Sequence, residues 1–320
     1  MSKLAILIIS FSILFTIFAL SILVSRYAYK RAFYFPPTHP VLPFYASNED
    51  EEEILKGLND SSRLLCNEDY EPIFIESFDH LSLFGRYYHV KDGAPLFIEF
   101  HGYKGDACRD FSGGDMIFKS LRFNTLLVDQ RAHGQSSGRT ITFGVNESYD
   151  CLSWARYARE RFGDIPIFLV GISMGGSTVL MASNLDLPKN VKGIISDCAF
   201  SSPKEIICKV CRDIGLIPRL IYPFVTLGAI LFGGFNPNKR SAIKSVKESR
   251  VPIMIIHGEA DKFVPCQMSS EIFESCTSEK YLHTFKNAGH GFSFASDVPR
   301  YEHLVKEFIF NQLEKIKEEK

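Results

Sequence analysis

Five short runs in the middle of the chain are almost wholly apolar: Leu96 to Phe100, Thr125 to Asp129, Ile165 to Val170, Gly193 to Asp197 and Ile253 to His257. A strand with one wet face alternates polar and apolar residues, whereas a strand covered on both faces does not. These runs therefore predict the central strands of a parallel sheet. Helical candidates lie between them, at Asp110 to Ser120, Glu147 to Phe162, Ser173 to Asn184 and Gln267 to Cys276, and Pro299 to Lys317 closes the chain as an amphipathic helix. Buried strands alternating with helices predict an α/β fold, a mostly parallel sheet with helices on both faces. Pro72 to Ser77 and Leu81 to His89 flank the turn Phe78-Asp79-His80 and predict an antiparallel hairpin ahead of the parallel part. No internal repeat is visible.

Two segments break this rhythm. Leu4 to Val24 is 21 residues without a charge, enough at about 1.5 Å per residue to cross roughly 30 Å of hydrocarbon. A cleaved signal peptide is the competing reading, but the run is longer than the usual apolar core of about 7 to 15 residues and no A-x-A-like site follows it. The expectation is a single-pass anchor over residues 1–31. Arg26, Lys30 and Arg31 follow the span and only Lys3 and the terminal amine precede it, which by the positive-inside rule sets the body on the cytoplasmic side by a margin of a charge or two. Pro36, Pro37, Pro40, Pro43 and the acidic Glu49 to Glu53 then predict a spacer over 32–68, followed by a folded body over 69–320. The second interruption, about 200–245, holds the apolar stretch Leu220 to Phe232. A second crossing there would cut the sheet in two, so an apolar, helical cap over a cleft is expected, one that also leans on the membrane.

Composition narrows the partners. Apolar residues make up 46%, the net charge is -1 and the pI is near 6.8, so the basic face that a nucleic-acid partner requires is not expected. The eight cysteines are scattered and are expected to be reduced thiols packed as small apolar groups. Cys208 and Cys211 form one isolated CxxC without a second pair or a nearby histidine, so no metal site is expected. Asn59-Asp60-Ser61 and Asn146-Glu147-Ser148 match the short glycosylation sequon.

The candidate chemistry begins at Gly171-Ile172-Ser173-Met174-Gly175, a serine between two glycines at the junction of an apolar run and a helix. In such an elbow the serine occupies a strained strand-to-helix turn, and the glycines let backbone pass close on both sides. A serine hydroxyl needs a base, and the base needs an orienting carboxylate. Of nine histidines, His290 in Asn287-Ala288-Gly289-His290-Gly291-Phe292 follows the probable strand Tyr281 to Phe285 and precedes the last helix, where a flexible loop can bring an imidazole to the hydroxyl. The carboxylate is expected on the loop after the preceding strand, where Asp261 is preferred, with Glu259 and Asp197 as competitors.

With Ser173, Asp261 and His290 in that order, the chain from about residue 70 to 318 resembles an α/β-hydrolase. Asp129-Gln130-Arg131-Ala132-His133-Gly134-Gln135-Ser136-Ser137-Gly138 resembles the D-x-R-x-H-G-x-S-x-G loop of the serine aminopeptidase-like hydrolases, with Ala132 where most relatives carry glycine. Together with the anchor it is similar to membrane-anchored bacterial members of that group. The resemblance implies that His101-Gly102-Tyr103 is the oxyanion loop, with the backbone N–H groups of Tyr103 and Met174 as donors. It also implies acyl transfer to water without a cofactor or metal. The apolar cap and the tether suggest a lipid-like acyl ester or thioester as substrate. A peptidase on short peptides and a catalytically silent, membrane-tethered binding module are the alternatives, and the oligomeric state is left open.

Overall fold

A computed structural model describes residues 2–36 and 49–318. In chain order the elements are α1 (Lys3–Ala32), α2 (Glu49–Asn67), β1 (Glu71–Glu76), β2 (Ser82–Tyr88), β3 (Leu96–Phe100), α3 (Ala107–Phe111), α4 (Gly114–Ser120), β4 (Asn124–Asp129), α5 (Glu147–Phe162), β5 (Ile167–Ile172), α6 (Met174–Ala182) and β6 (Val191–Asp197). They continue as α7 (Pro203–Asp213), α8 (Pro218–Gly233), α9 (Ala242–Ser245), β7 (Ile253–Gly258), α10 (Gln267–Ser275), β8 (Lys280–Phe285), α11 (Ser293–Ser296) and α12 (Val298–Glu318). The strands form one eight-stranded sheet in the order β1-β2-β4-β3-β5-β6-β7-β8. β1, β2 and β4 pair antiparallel and every later pairing is parallel.

All residues of β3, β4 and β7 are buried, as runs covered on both faces must be. One core layer holds Ile98, Leu126, Trp154 and Val179, the other Phe97, Phe118, Phe168 and Phe308. Phe97 stacks on Phe118 with ring centroids 4.0 Å apart and on Phe168 at 5.0 Å. Burying each such ring or branched chain is worth about 1.5–3 kcal/mol, so the central strands are where the fold is most strongly anchored.

Three features differ from the sequence expectations. The helix expected over Asp110 to Ser120 is split at Ser112 and Gly113 into α3 and α4, and Gly113 lies so close to the Phe294 ring that a Cβ there would come within 2.3 Å of it. The stretch expected as spacer carries α2, whose Leu65 is buried with Tyr88, Phe111 and Phe118; residues 37–48, including Pro37, Pro40 and Pro43, lie outside the described residues. The cysteines are not all reduced: Cys66 at the end of α2 is disulfide-bonded to Cys108 on α3, with Cα atoms 5.6 Å apart, while the other six are free. Their 42-residue separation hid the pairing, which needed α2 to fold back onto α3.

The interruption between β6 and β7 is helical, formed by α7, α8 and α9. Ser202 caps α7 by accepting from the Glu205 N–H, and Pro203 and Pro218 open α7 and α8 at the first turn, where a missing N–H costs nothing. At 16 residues α8 is about 24 Å long, too short for a crossing. Among the described residues only α1 is long and apolar enough to cross a membrane.

Candidate active site

β5 ends at Ile172 and α6 begins at Met174, so Ser173 occupies a one-residue turn at the carboxyl edge of the sheet, with φ 55° and ψ -114°. A non-glycine residue held there costs on the order of 1–3 kcal/mol. The surrounding backbone enforces it. A Cβ on Gly171 would lie 2.2 Å from the Gly175 carbonyl oxygen, and one on Gly175 would lie 1.7 Å from the Phe100 carbonyl oxygen, so both positions demand glycine. The Ser173 N–H donates to the Asp197 carbonyl at 2.8 Å, which ties the turn to β6.

The loop after β8 brings His290 to this serine. Its Nε2 is 2.9 Å from Ser173 Oγ and its Nδ1 is 2.7 Å from Asp261 Oδ2. Asp261 comes from the loop after β7, and its other oxygen, Oδ1, accepts the backbone N–H groups of Phe263 at 2.9 Å and Val264 at 2.8 Å. Burial alone would raise this carboxyl, but hydrogen bonds from His257 and His290 outweigh it and hold the group well below the usual carboxylate range. An ionised Asp261 must accept from Nδ1–H of His290, which leaves Nε2 with a lone pair facing the hydroxyl. That is the tautomer able to take a proton from Ser173.

The competing carboxylates point elsewhere. Asp197 accepts from Ser293 Oγ at 2.9 Å, and burial, opposed by that bond, raises its carboxyl. Glu259 is exposed and accepts from the Thr284 hydroxyl.

Two supporting groups were not singled out from sequence. His257, at the end of β7 and fully buried, has Nε2 2.8 Å from the Val264 carbonyl and 3.1 Å from Asp261 Oδ2, and Nδ1 2.6 Å from Ser269 Oγ. Nε2 therefore carries the proton and Nδ1 accepts from the serine. Buried in the last turn of a strand, it carried one signal only, a polar residue ending an apolar run. Glu51, from α2, accepts the Gly289 N–H at 3.0 Å beside His290; no local pattern signals a contact across 238 positions.

The expected oxyanion groups flank the serine. Met174 is the first residue of α6, so its N–H has no acceptor within the helix. A Cβ on Gly102 would lie 3.4 Å from Ser173 Cβ, which sets the His101-Gly102-Tyr103 turn against the nucleophile position. That turn is held from three sides. The Gly102 N–H donates to Asp110 Oδ2 at 2.6 Å, the Lys104 N–H donates to His133 Nε2 at 3.1 Å, and the Tyr103 hydroxyl donates to the Ala32 carbonyl of α1 at 2.8 Å. The loop 129–138 is thus structural support: Arg131 bridges Asp79 and Asp150, Arg86 pairs with Asp129, and His133 props the Tyr103 turn. Ala132 has φ 65°, the left-handed region in which glycine is at ease.

An apolar cluster begins at Met174, the residue after the serine. Met174, Phe143 and Phe200 pack in one cluster with Val225 and Ala229 of α8, Tyr29 of the first helix and Phe33 just after it, and Tyr103 lies against it.

Residues 95–209 match the family described as alpha/beta hydrolase fold, and residues 234–315 match the prolyl oligopeptidase family. The esterase Pf2001 of Pyrococcus furiosus superposes with a TM-score of 0.63 at 19% identity, covering 87% of this chain and 98% of that one. The chain has an α/β-hydrolase fold. Among the relatives, the uncharacterized protein YqkD of Bacillus subtilis is 25% identical over 283 residues, 86% of this chain and 91% of its own. The lysophosphatidylserine lipase ABHD12 of Danio rerio is 22% identical over 233 residues, 67% of this chain and 58% of its own length. The proteins this chain resembles thus include an esterase and a lipase, and one of its segments matches a peptidase family.

Proposed function

We propose that the protein is a membrane-anchored serine hydrolase that cleaves acyl esters or thioesters. Ser173 attacks the carbonyl, His290 takes its proton and returns it to the leaving group, and Asp261 holds the imidazole tautomer. Water admitted after the leaving group departs then releases the acyl chain from Ser173. The N–H groups of Tyr103 and Met174 receive the oxyanion, each donor being worth roughly 2.7–4 kcal/mol in the transition state because it is fixed before charge develops. The observation that carries this reading is the continuous line Ser173 Oγ, His290, Asp261 at 2.9 and 2.7 Å. The apolar cluster of Met174, Phe143, Phe200 and α8 supports an acyl chain as the group bound beside the serine, and the name of the zebrafish relative makes lysophospholipids the first class to test.

Labelling by a fluorophosphonate probe tests the mechanism. Wild type is expected to label and Ser173→Ala is not; an unlabelled wild type would leave the silent, tethered binding module as the reading. The match of residues 234–315 to the prolyl oligopeptidase family favours a peptidase on short peptides as the second reading. Acyl esters and thioesters of graded chain length, run against aminoacyl amides, separate the two, since an amide preference would reverse the assignment.

On the side of the membrane, the Cys66–Cys108 disulfide and the positive-inside rule point in opposite directions. Disulfides persist in oxidising compartments, whereas the charge margin across α1 is only a residue or two. The disulfide carries more weight, and the body is assigned to the non-cytoplasmic face. Protection of the body from protease added to sealed vesicles whose outer face is the non-cytoplasmic one would reverse that assignment.

A further inference from the structure

We infer that the tip of the cap, the turn joining α7 to α8 and the first turns of α8, is inserted into the hydrocarbon of the same bilayer leaflet from which α1 emerges. The inference rests on the reading of α1 as the membrane anchor. α8 is packed against α1 at backbone contact: a Cβ on Gly228 would lie 2.2 Å from the Ser25 carbonyl oxygen, and one on Gly233 would lie 3.1 Å from the Tyr29 ring. Tyr29 and Phe232 add a ring contact at 6.0 Å. Position 228 meets 25 and position 233 meets 29, so the two helices run in the same direction, and the amino-terminal end of α8 points back along α1 toward its apolar run.

The burial pattern of α1 gives the depth. Apart from the isolated Ala5, its covered positions are Ala19, Ser21, Ile22, Ser25, Ala28, Tyr29 and Ala32, which fall on one side of the helix at helical spacing. Coverage from Ala19 to Ser25 amounts to about 9 Å of rise inside the uncharged segment, the depth to which monotopic elements enter a bilayer. The tip that reaches there is apolar and bare: Ile214 is 65% exposed, Ile217 61% and Leu220 60%, with Leu216 at 42%. Arg219 is the sole charge between Pro218 and Asn238 and, on a long stem, can keep its head at the lipid headgroups. Arg26, Lys30 and Arg31 of α1 are exposed where the same headgroup layer would lie. A soluble partner protein would not share its level with a helix that needs hydrocarbon; the continuity of the two apolar surfaces selects lipid.

Tryptophan substitution in the full chain reconstituted into phosphatidylcholine vesicles, with and without bromine on the acyl chains, tests this. The native Trp154 is buried beneath the sheet and supplies a constant background. Leu220→Trp and Ile217→Trp are expected to lose about half or more of their added emission to brominated lipid, as Phe11→Trp in α1 does, while Phe74→Trp on the edge strand β1 loses none. If Phe11→Trp is quenched and both cap variants behave like Phe74→Trp, the insertion is wrong although the anchor stands. If Phe11→Trp also escapes quenching, the anchor and the insertion fall together.

Discussion

Asp261→Asn tests the chemistry most directly, because the structure dictates how the amide must sit. Oδ1 of Asp261 accepts two backbone N–H groups, from Phe263 and Val264, at 2.9 and 2.8 Å. An asparagine can satisfy them only with its carbonyl oxygen, which forces its NH2 group into the Oδ2 position facing His290 Nδ1. There it donates, so His290 must accept at Nδ1 and carry its proton on Nε2, pointed at Ser173 Oγ 2.9 Å away. The imidazole stays in place but can no longer take the serine proton. A wrong tautomer of this kind lowers kcat by about 10⁴, or about 5.5 kcal/mol of transition-state stabilisation. The same NH2 confronts Nε2–H of His257, which bonds the Val264 carbonyl at 2.8 Å, so the buried histidine loses one of its partners and stability falls by about 1–3 kcal/mol. The assay is hydrolysis of a short p-nitrophenyl ester by the full chain, followed by calorimetric unfolding at pH 7. A kcat loss below about tenfold would refute the tautomer reasoning, whatever happens to stability. The depressed carboxyl also fixes a sign: its contribution to stability is present above the ordinary aspartate range near pH 4 and is lost as pH falls further, and Asp261→Asn is expected to remove that component of acid unfolding.

Other outcomes follow from single features. Ser173→Gly relieves the backbone at φ 55° and is expected to raise stability by about 1 kcal/mol while abolishing hydrolysis; a lower melting temperature would mean the turn is not strained. Tyr103→Phe removes the hydroxyl bond to the Ala32 carbonyl, so kcat is expected to drop a few-fold with KM unchanged and about 1 kcal/mol of stability lost; an equal change in KM alone would mean the tyrosine only binds substrate. Glu99 is fully buried on β3 with no hydrogen-bond partner for either carboxylate oxygen among the described residues, and burial, with Asp115 adding to it, raises its carboxyl well above the usual range. Its stabilising protonated form is complete below about pH 4.5 and lost as pH rises, so Glu99→Gln is expected to remove a slope of up to about 1.4 kcal/mol per pH unit from the stability profile, which denaturant melts between pH 5 and 9 would reveal. Replacing Cys66 and Cys108 together by serine opens a 42-residue loop and is expected to cost about 4 kcal/mol on the chain-entropy account. In the unfolded wild type, maleimide is expected to count six thiols before reduction and eight after it; eight at the outset would remove the disulfide and the compartment assignment built on it.

The parallel sheet was legible because its strands announce themselves locally: β3 was expected over Leu96–Phe100 and occupies those residues, and α5 was expected and found over Glu147–Phe162. The elbow was legible for the same reason, its serine and both glycines lying within five consecutive positions, although the backbone that demands Gly175 is that of Phe100 on β3. The histidine and acid could be ranked by their place after successive strands, since in a parallel sheet the loops after the strands gather at one edge. Asp261 was preferred over Glu259, two positions away on the same loop, from the sequence alone; the folded loop adds the backbone donors of Phe263 and Val264 on one Asp261 oxygen.

What the chain alone determined, then, is what short-range periodicity can encode: the alternation of strand and helix, an apolar first helix and a serine in a strained turn. Tertiary structure decided everything that joins distant residues, because such contacts leave no trace in local spacing. The last turns of the first helix and the residues just after it belong to the body, with Tyr29, Phe33 and Phe35 buried and the Ala32 carbonyl holding the Tyr103 hydroxyl. α2 folds back to bring Glu51 to Gly289 and Cys66 to Cys108. Each of these unions depends on loop closure, whose entropy is repaid only when many buried contacts form at once. The helix that reads in sequence as a detachable tether is, in three dimensions, packed against α8 and bonded through the Ala32 carbonyl to Tyr103.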